Sequence, residues 1–143
     1  MKKLLVLVLG LAACGGNPAS PDRETQIPRV DGTYQGPLTT FRVDGVNYPG
    51  VSMRITVAQA GSQVTINGAF LVQGETFPIP AITGTLSATG TLSEGPTSGD
   101  FGECGLGSNG YASLTFSGSS AVFTLNANTQ WCGAMSLSGT LRK

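Results

Sequence analysis

Val51-Ser52-Met53-Arg54-Ile55-Thr56-Val57, followed beyond Ala60-Gly61-Ser62 by Val64-Thr65-Ile66-Asn67-Gly68-Ala69-Phe70-Leu71-Val72, decides the fold of this chain. Both runs alternate apolar and polar residues. Successive side chains of a strand point to opposite faces, so each run buries one face and wets the other. Two such runs joined by a short glycine-containing connection form a β-hairpin. Ala112–Phe116 and Phe123–Ala127 flank Ser117-Gly118-Ser119-Ser120 in the same way and predict a second hairpin. The chain closes on another alternating run, Met135 to Arg142, and an earlier strand starts at Gly32-Thr33-Tyr34-Gln35-Gly36.

After the first fourteen residues no window of helical length carries a 3.6-residue apolar period, so the expected class is all-β and antiparallel. About eight short strands fit an up-and-down β-barrel, with a β-sandwich as the alternative. Sequential pairing and glycines able to bend strands at barrel corners favour the barrel. Phe77-Pro78-Ile79-Pro80 cannot be a central strand, because its prolines lack ladder donors. It is expected at an edge, a bulge or a bend, as a cap over one barrel end or as an exposed apolar contact.

Composition narrows the function. Eight basic and eight acidic residues balance, only 11% of the 143 residues are charged, and histidine is absent. No basic surface exists for a nucleic-acid partner. Without histidine, Ser-His-Asp and Cys-His chemistry and histidine zinc sites are excluded. The closest carboxylates, Asp100 and Glu103, lie in a glycine-rich stretch that would not hold the separation a glycosidase pair needs. They also lack the ligand spacing of a calcium loop. No enzyme activity, cofactor or metal is expected.

The N-terminus carries an address. Lys2 and Lys3 precede the apolar run Leu4 to Leu9, which leads into Leu11-Ala12-Ala13-Cys14. As a helix, Leu4 to Ala13 would rise about 15 Å, too short for a hydrocarbon core of about 30 Å. The order of charge, apolar run and small residues describes an export signal. Leu-Ala-Ala-Cys resembles the lipobox of bacterial lipoproteins. The resemblance implies a signal peptide over residues 1–13, removed on export, and a diacylglycerol thioether on Cys14, whose new amine is further acylated, for example with palmitate. Two or more acyl chains anchor a protein durably. Residues 14–29, rich in glycine and proline, would be the lipidated cysteine and a flexible tether, and residues 30–143 a single β domain. The expected location is the cell envelope, on the non-cytoplasmic side of a membrane. Gly15 after the cysteine leans toward the outer membrane where the source has one. The competing reading makes Cys14 an ordinary cysteine near a conventional cleavage site.

Asp31-Gly32-Thr33-Tyr34-Gln35-Gly36 also resembles the opening Gly-x-aromatic strand of lipocalin-like (calycin) barrels, several of which are lipoproteins. Lipocalins usually place Trp at the aromatic position. This chain has Tyr34 there, and its only tryptophan is Trp131. The resemblance implies barrel architecture alone.

With Cys14 lipidated, Cys104 and Cys132 remain as an even pair in an exported protein, which predicts a disulfide. A free catalytic thiol or a metal site finds no histidine and no Cys-x-x-Cys spacing to support it. Two functions stay open. In one, the barrel binds a small apolar ligand through Met53, Ile55, Ile66, Phe70, Phe116, Phe123 and Met135, which any filled core would also use. In the other it is a structural or protein-interaction lipoprotein of the envelope, with a filled core and no ligand.

Overall fold

The computed structural model describes residues 26–143, with side chains placed except at positions 93–98 and 109. Cys14 and residues 1–13, where a signal peptide is expected, lie outside the described residues. Nine strands follow in order: β1 (Gly32–Val43), β2 (Val46–Asn47), β3 (Ser52–Ala60), β4 (Gln63–Val72), β5 (Glu75–Thr85), β6 (Thr91–Asp100), β7 (Leu106–Ser117), β8 (Ser120–Thr129) and β9 (Gly133–Arg142). A single 3-10 turn over Gly102–Cys104 precedes β7.

All pairings are antiparallel, in the order β5-β4-β3-β1-β9-β8-β7-β6, with β2 a short ribbon on the end of β1. Sequence neighbours are therefore spatial neighbours all the way round, and the first long strand pairs with the last. The result is an up-and-down, nearly closed barrel of eight long strands. Its seam lies between β5 and β6, which touch without a ladder. Pro78 and Pro80 explain why the seam falls there. Neither has an N–H to donate, so one edge of β5 is unfit for pairing. Across the seam, a Cβ on Gly99 would stand 2.6 Å from the Pro80 Cβ, so only glycine lets the two strands approach this closely. Phe77–Pro80 is thus part of an edge strand rather than a cap over a barrel end.

The turns follow from their residues. In the β3–β4 and β7–β8 hairpins the first residue of each two-residue loop is a glycine at positive φ, Gly61 at 62° and Gly118 at 57°. That is the backbone a type II′ turn demands. Asp44-Gly45 and Gln73-Gly74 have both residues at positive φ, the type I′ pattern.

The interior is one continuous apolar cluster drawn from every long strand and from Val30, Leu86 and Phe101 between them. Thr129 is the buried polar side chain among the described residues, and its hydroxyl donates to the Gly133 carbonyl at 3.0 Å. The chain enters at one end of the barrel. There Gln59 accepts the Val30 N–H at 2.7 Å and donates to the Pro28 carbonyl at 2.9 Å. Gly61 and Gly90 mark the same end. The β1–β2, β4–β5, β6–β7 and β8–β9 connections crowd the opposite end.

Candidate functional site

All seven residues predicted to line a binding cavity face the interior, and the structure brings them into one cluster. Ile55, Ile66 and Phe123 are completely buried, and the most exposed of the seven, Phe116, keeps only 6% of its surface. Aromatic neighbours pack against two of them. Phe70 stands 5.0 Å from the Phe41 ring and stacks on Phe77 at 5.3 Å. Phe116 packs at 5.5 Å against Tyr34 near the end where the chain enters. Aromatic pairs at such separations add to plain area burial.

Tyr34, the aromatic of the lipocalin-like opening, is fully buried on β1, with its phenol donating to the Val30 carbonyl at 2.9 Å. Burial, and secondarily the Asp31 carboxylate, push its pKa above the ordinary 10.0. Asp31 itself is held below the carboxylate range by the hydrogen bond and charge of Arg29, at 3.0 Å. Both partners of that pair are exposed, so it contributes little to stability.

The far end carries the disulfide. Cys104 and Cys132 are joined, and the bond clamps the 3-10 turn before β7 to the connection between β8 and β9. Two backbone bonds reinforce the clamp: the Trp131 N–H donates to the Cys104 carbonyl at 3.0 Å, and the Gln130 N–H to the Leu106 carbonyl at 3.0 Å. The glycine-rich stretch from Gly102 to Gly110 therefore gains its order from its partner segment. Phe101, just before the turn, is completely buried and lies against Gly107 so closely that a methyl group there would collide with its ring. Sequence reasoning missed this plug. An isolated aromatic inside a glycine-rich run was the available signal.

Asp100 and Glu103 are both exposed on this rim, and the Asp100 carboxylate accepts the Gly102 N–H at 2.8 Å. It shapes the turn that carries the disulfide. Among the described residues no three His, Cys, Asp or Glu side chains converge as a metal site would need. Exposed apolar side chains gather at this same end, where Trp131 keeps 72% and Leu106 65% of their surface. The indole packs onto Gly105, where a Cβ would strike it. Three depressions lie on the barrel's outside or beside the entering chain, one over β8 and β9, one over β1 and β3, and one between Ile27 and Gln59.

No protein-family model, curated protein or solved structure matches this chain. What it does must be read from its own geometry.

Proposed function

We propose that this protein is a lipid-anchored envelope protein whose barrel is filled by its own side chains and acts, without catalysis, through its outer surface. The observation that carries the filled interior is the burial of all seven inward residues in one cluster, with the Phe70 ring against both Phe41 and Phe77. An eight-stranded barrel is just wide enough for side chains to fill. Phe101 under the disulfide-bonded turn covers one end of that interior, and Val30, Tyr34 and Leu86 cover the other.

The anchored location rests on the sequence alone. Leu11-Ala12-Ala13-Cys14 would place the acyl chains on Cys14, and residues 14–29 would tether the domain. The tether would meet the barrel beside Gln59, at the end opposite Trp131 and Leu106. The apolar rim would then face away from the membrane, toward other envelope components.

Native mass spectrometry of the full chain, extracted with mild detergent, tests the filled interior. The expected mass is the chain with any covalent acyl groups and nothing else. A lipid-sized non-covalent adduct, retained after detergent is stripped and lost on collisional activation, favours the other reading, a barrel that holds a small apolar ligand.

A further inference from the structure

The outer wall carries a polar row assembled from four strands. Register sets Tyr111 opposite Asn126, Asn126 opposite Ser136, and Ser136 opposite Arg42. One step toward the disulfide end, Asn128 stands opposite Ala134. Directly opposed residues on one face have Cβ atoms about 4.5–5.5 Å apart, so these side chains form one surface. A groove of about 300 Å³ runs along it, its polar lining drawn from Arg42, Asn126, Asn128 and Ser136 and its apolar lining from Ala127, Ala134 and Met135. Ala134 gives it a low floor, a single methyl among longer neighbours. The Arg42 guanidinium donates to the Gly45 carbonyl at 3.1 Å, which holds it upright against the β1–β2 hairpin as one bank. On the other side, a register shift in β7 between Ser108 and Tyr111 sets Tyr111 beside Asn126 with half its surface exposed. Bulges commonly re-aim a side chain beside a functional site.

The groove's chemistry is that of unspent hydrogen bonds. Among the described residues, the hydrogen-bonded side chains of β8 are Thr124 and Thr129. The amides of Asn126 and Asn128 and the Ser136 hydroxyl make no hydrogen bond to another described side chain, so they offer donors and acceptors along the groove. Donors and acceptors alternate over a few ångströms, one guanidinium stands at the margin, and an aromatic ring flanks them. Ala127, Ala134 and Met135 give the groove apolar surface as well, which suits the C–H face of a sugar ring, whereas a wholly apolar ligand would leave Asn126, Asn128 and Ser136 unpaired. A phosphate-rich ligand would call for more cation than Arg42 supplies. A folded protein partner would need about 800 Å² of its own surface covered, far more than this groove offers.

The geometry points to a saccharide site: one or two neutral pyranose rings, their vicinal hydroxyls paired with Asn126, Asn128 and Ser136, and a C–H edge against Tyr111. The volume sits at the small end of ligand pockets, about 300–1,000 Å³. This rests on the reading that the domain works through its exterior.

The test is amide NMR on the full-length chain, held in a zwitterionic detergent that has no sugar headgroup. Maltotriose, cellotriose, chitotriose and a galacturonate trisaccharide are titrated in turn. At least one neutral trisaccharide shifts the side-chain amide signals of Asn126 and Asn128, with a Kd in the range of about 1 mM. Asn128→Ala and Tyr111→Ala each weaken that binding by roughly tenfold. Both residues are exposed, so the variants keep the wild-type melting temperature. No shift with any neutral sugar overturns the site, as do shifts that survive both substitutions. Binding of galacturonate alone, erased by salt and by Arg42→Met, makes the groove an anion site and equally overturns it. None of these failures alters the mass expected for a filled barrel, so the two readings fail separately.

Discussion

Replacing both Cys104 and Cys132 with serine should lower the melting temperature by roughly 14 °C. The bridge spans 28 positions of the chain. In the chain-entropy account, closing a loop of this length removes about 12 cal/mol/K from the unfolded ensemble, or about 3.6 kcal/mol at 25 °C. With about 2.1 cal/mol/K of unfolding entropy per residue over roughly 118 folded residues, each kcal/mol moves the midpoint by about 4 °C. Native losses should add little, because the Trp131-to-Cys104 and Gln130-to-Leu106 backbone bonds do not need the sulfurs. Differential scanning calorimetry of the full chain gives the midpoint, and far-ultraviolet circular dichroism checks that the barrel persists. Trp131 reports locally, since its indole rests on Gly105 and its emission should shift as the turn loosens. A drop below about 3 °C would refute the reasoning, since the bridge would then constrain almost nothing in the unfolded chain.

Gly107→Ala should cost about 1–3 kcal/mol by driving a methyl into the Phe101 ring, read from urea melts as a lower midpoint at unchanged slope. A neutral result would mean that Phe101 is free to leave its plug position. Tyr34 makes stability fall in alkali: its neutral phenol is favoured in the folded state, so its contribution is full below pH 10.0 and lost as pH rises through the raised folded value. Tyr34→Phe should remove that alkaline loss while costing about 0.5–1.5 kcal/mol at neutral pH for the broken bond to Val30, and an unchanged pH profile would contradict the assignment. Cys14→Ser should move the protein from the membrane fraction to a soluble one or leave its precursor uncleaved. Normal processing with retained membrane binding would remove the lipoprotein reading.

The barrel was legible because its cause is local. Alternation in β3, β4, β7, β8 and β9, with glycine at each tight turn, specifies strands that pair with their sequence neighbours, and such pairing leads round to a barrel. Setting Cys14 aside for a lipid left an even pair in a chain read as exported, and that predicted the Cys104–Cys132 bridge. The prolines of β5 marked an edge without saying that the edge would form a seam. Asp44-Gly45 is a hairpin dipeptide, yet the two-residue β2 it produces is too short for any periodicity to register. Phe101 was lost because glycines surround it and its burial depends on Gly107 and on a clamp from Cys132. The groove row was illegible for a stronger reason: Arg42, Tyr111, Asn126 and Ser136 meet only through register between strands, and no local pattern encodes that. Burial of Met53 or Phe70 could be foreseen, but alternation alone does not tell a cavity wall from a packed core.

Phe123→Ala tests the filled barrel most directly. Phe123 is completely buried mid-strand on β8, opposite Leu114 and Gly139. In a packed interior its truncation leaves a void its neighbours cannot close, at a cost of about 3–5 kcal/mol in the unfolding free energy from urea titration. A loss below about 1 kcal/mol, with the fold intact by circular dichroism, would show that the side chain borders open space, and the account of a barrel filled by its own residues would be wrong.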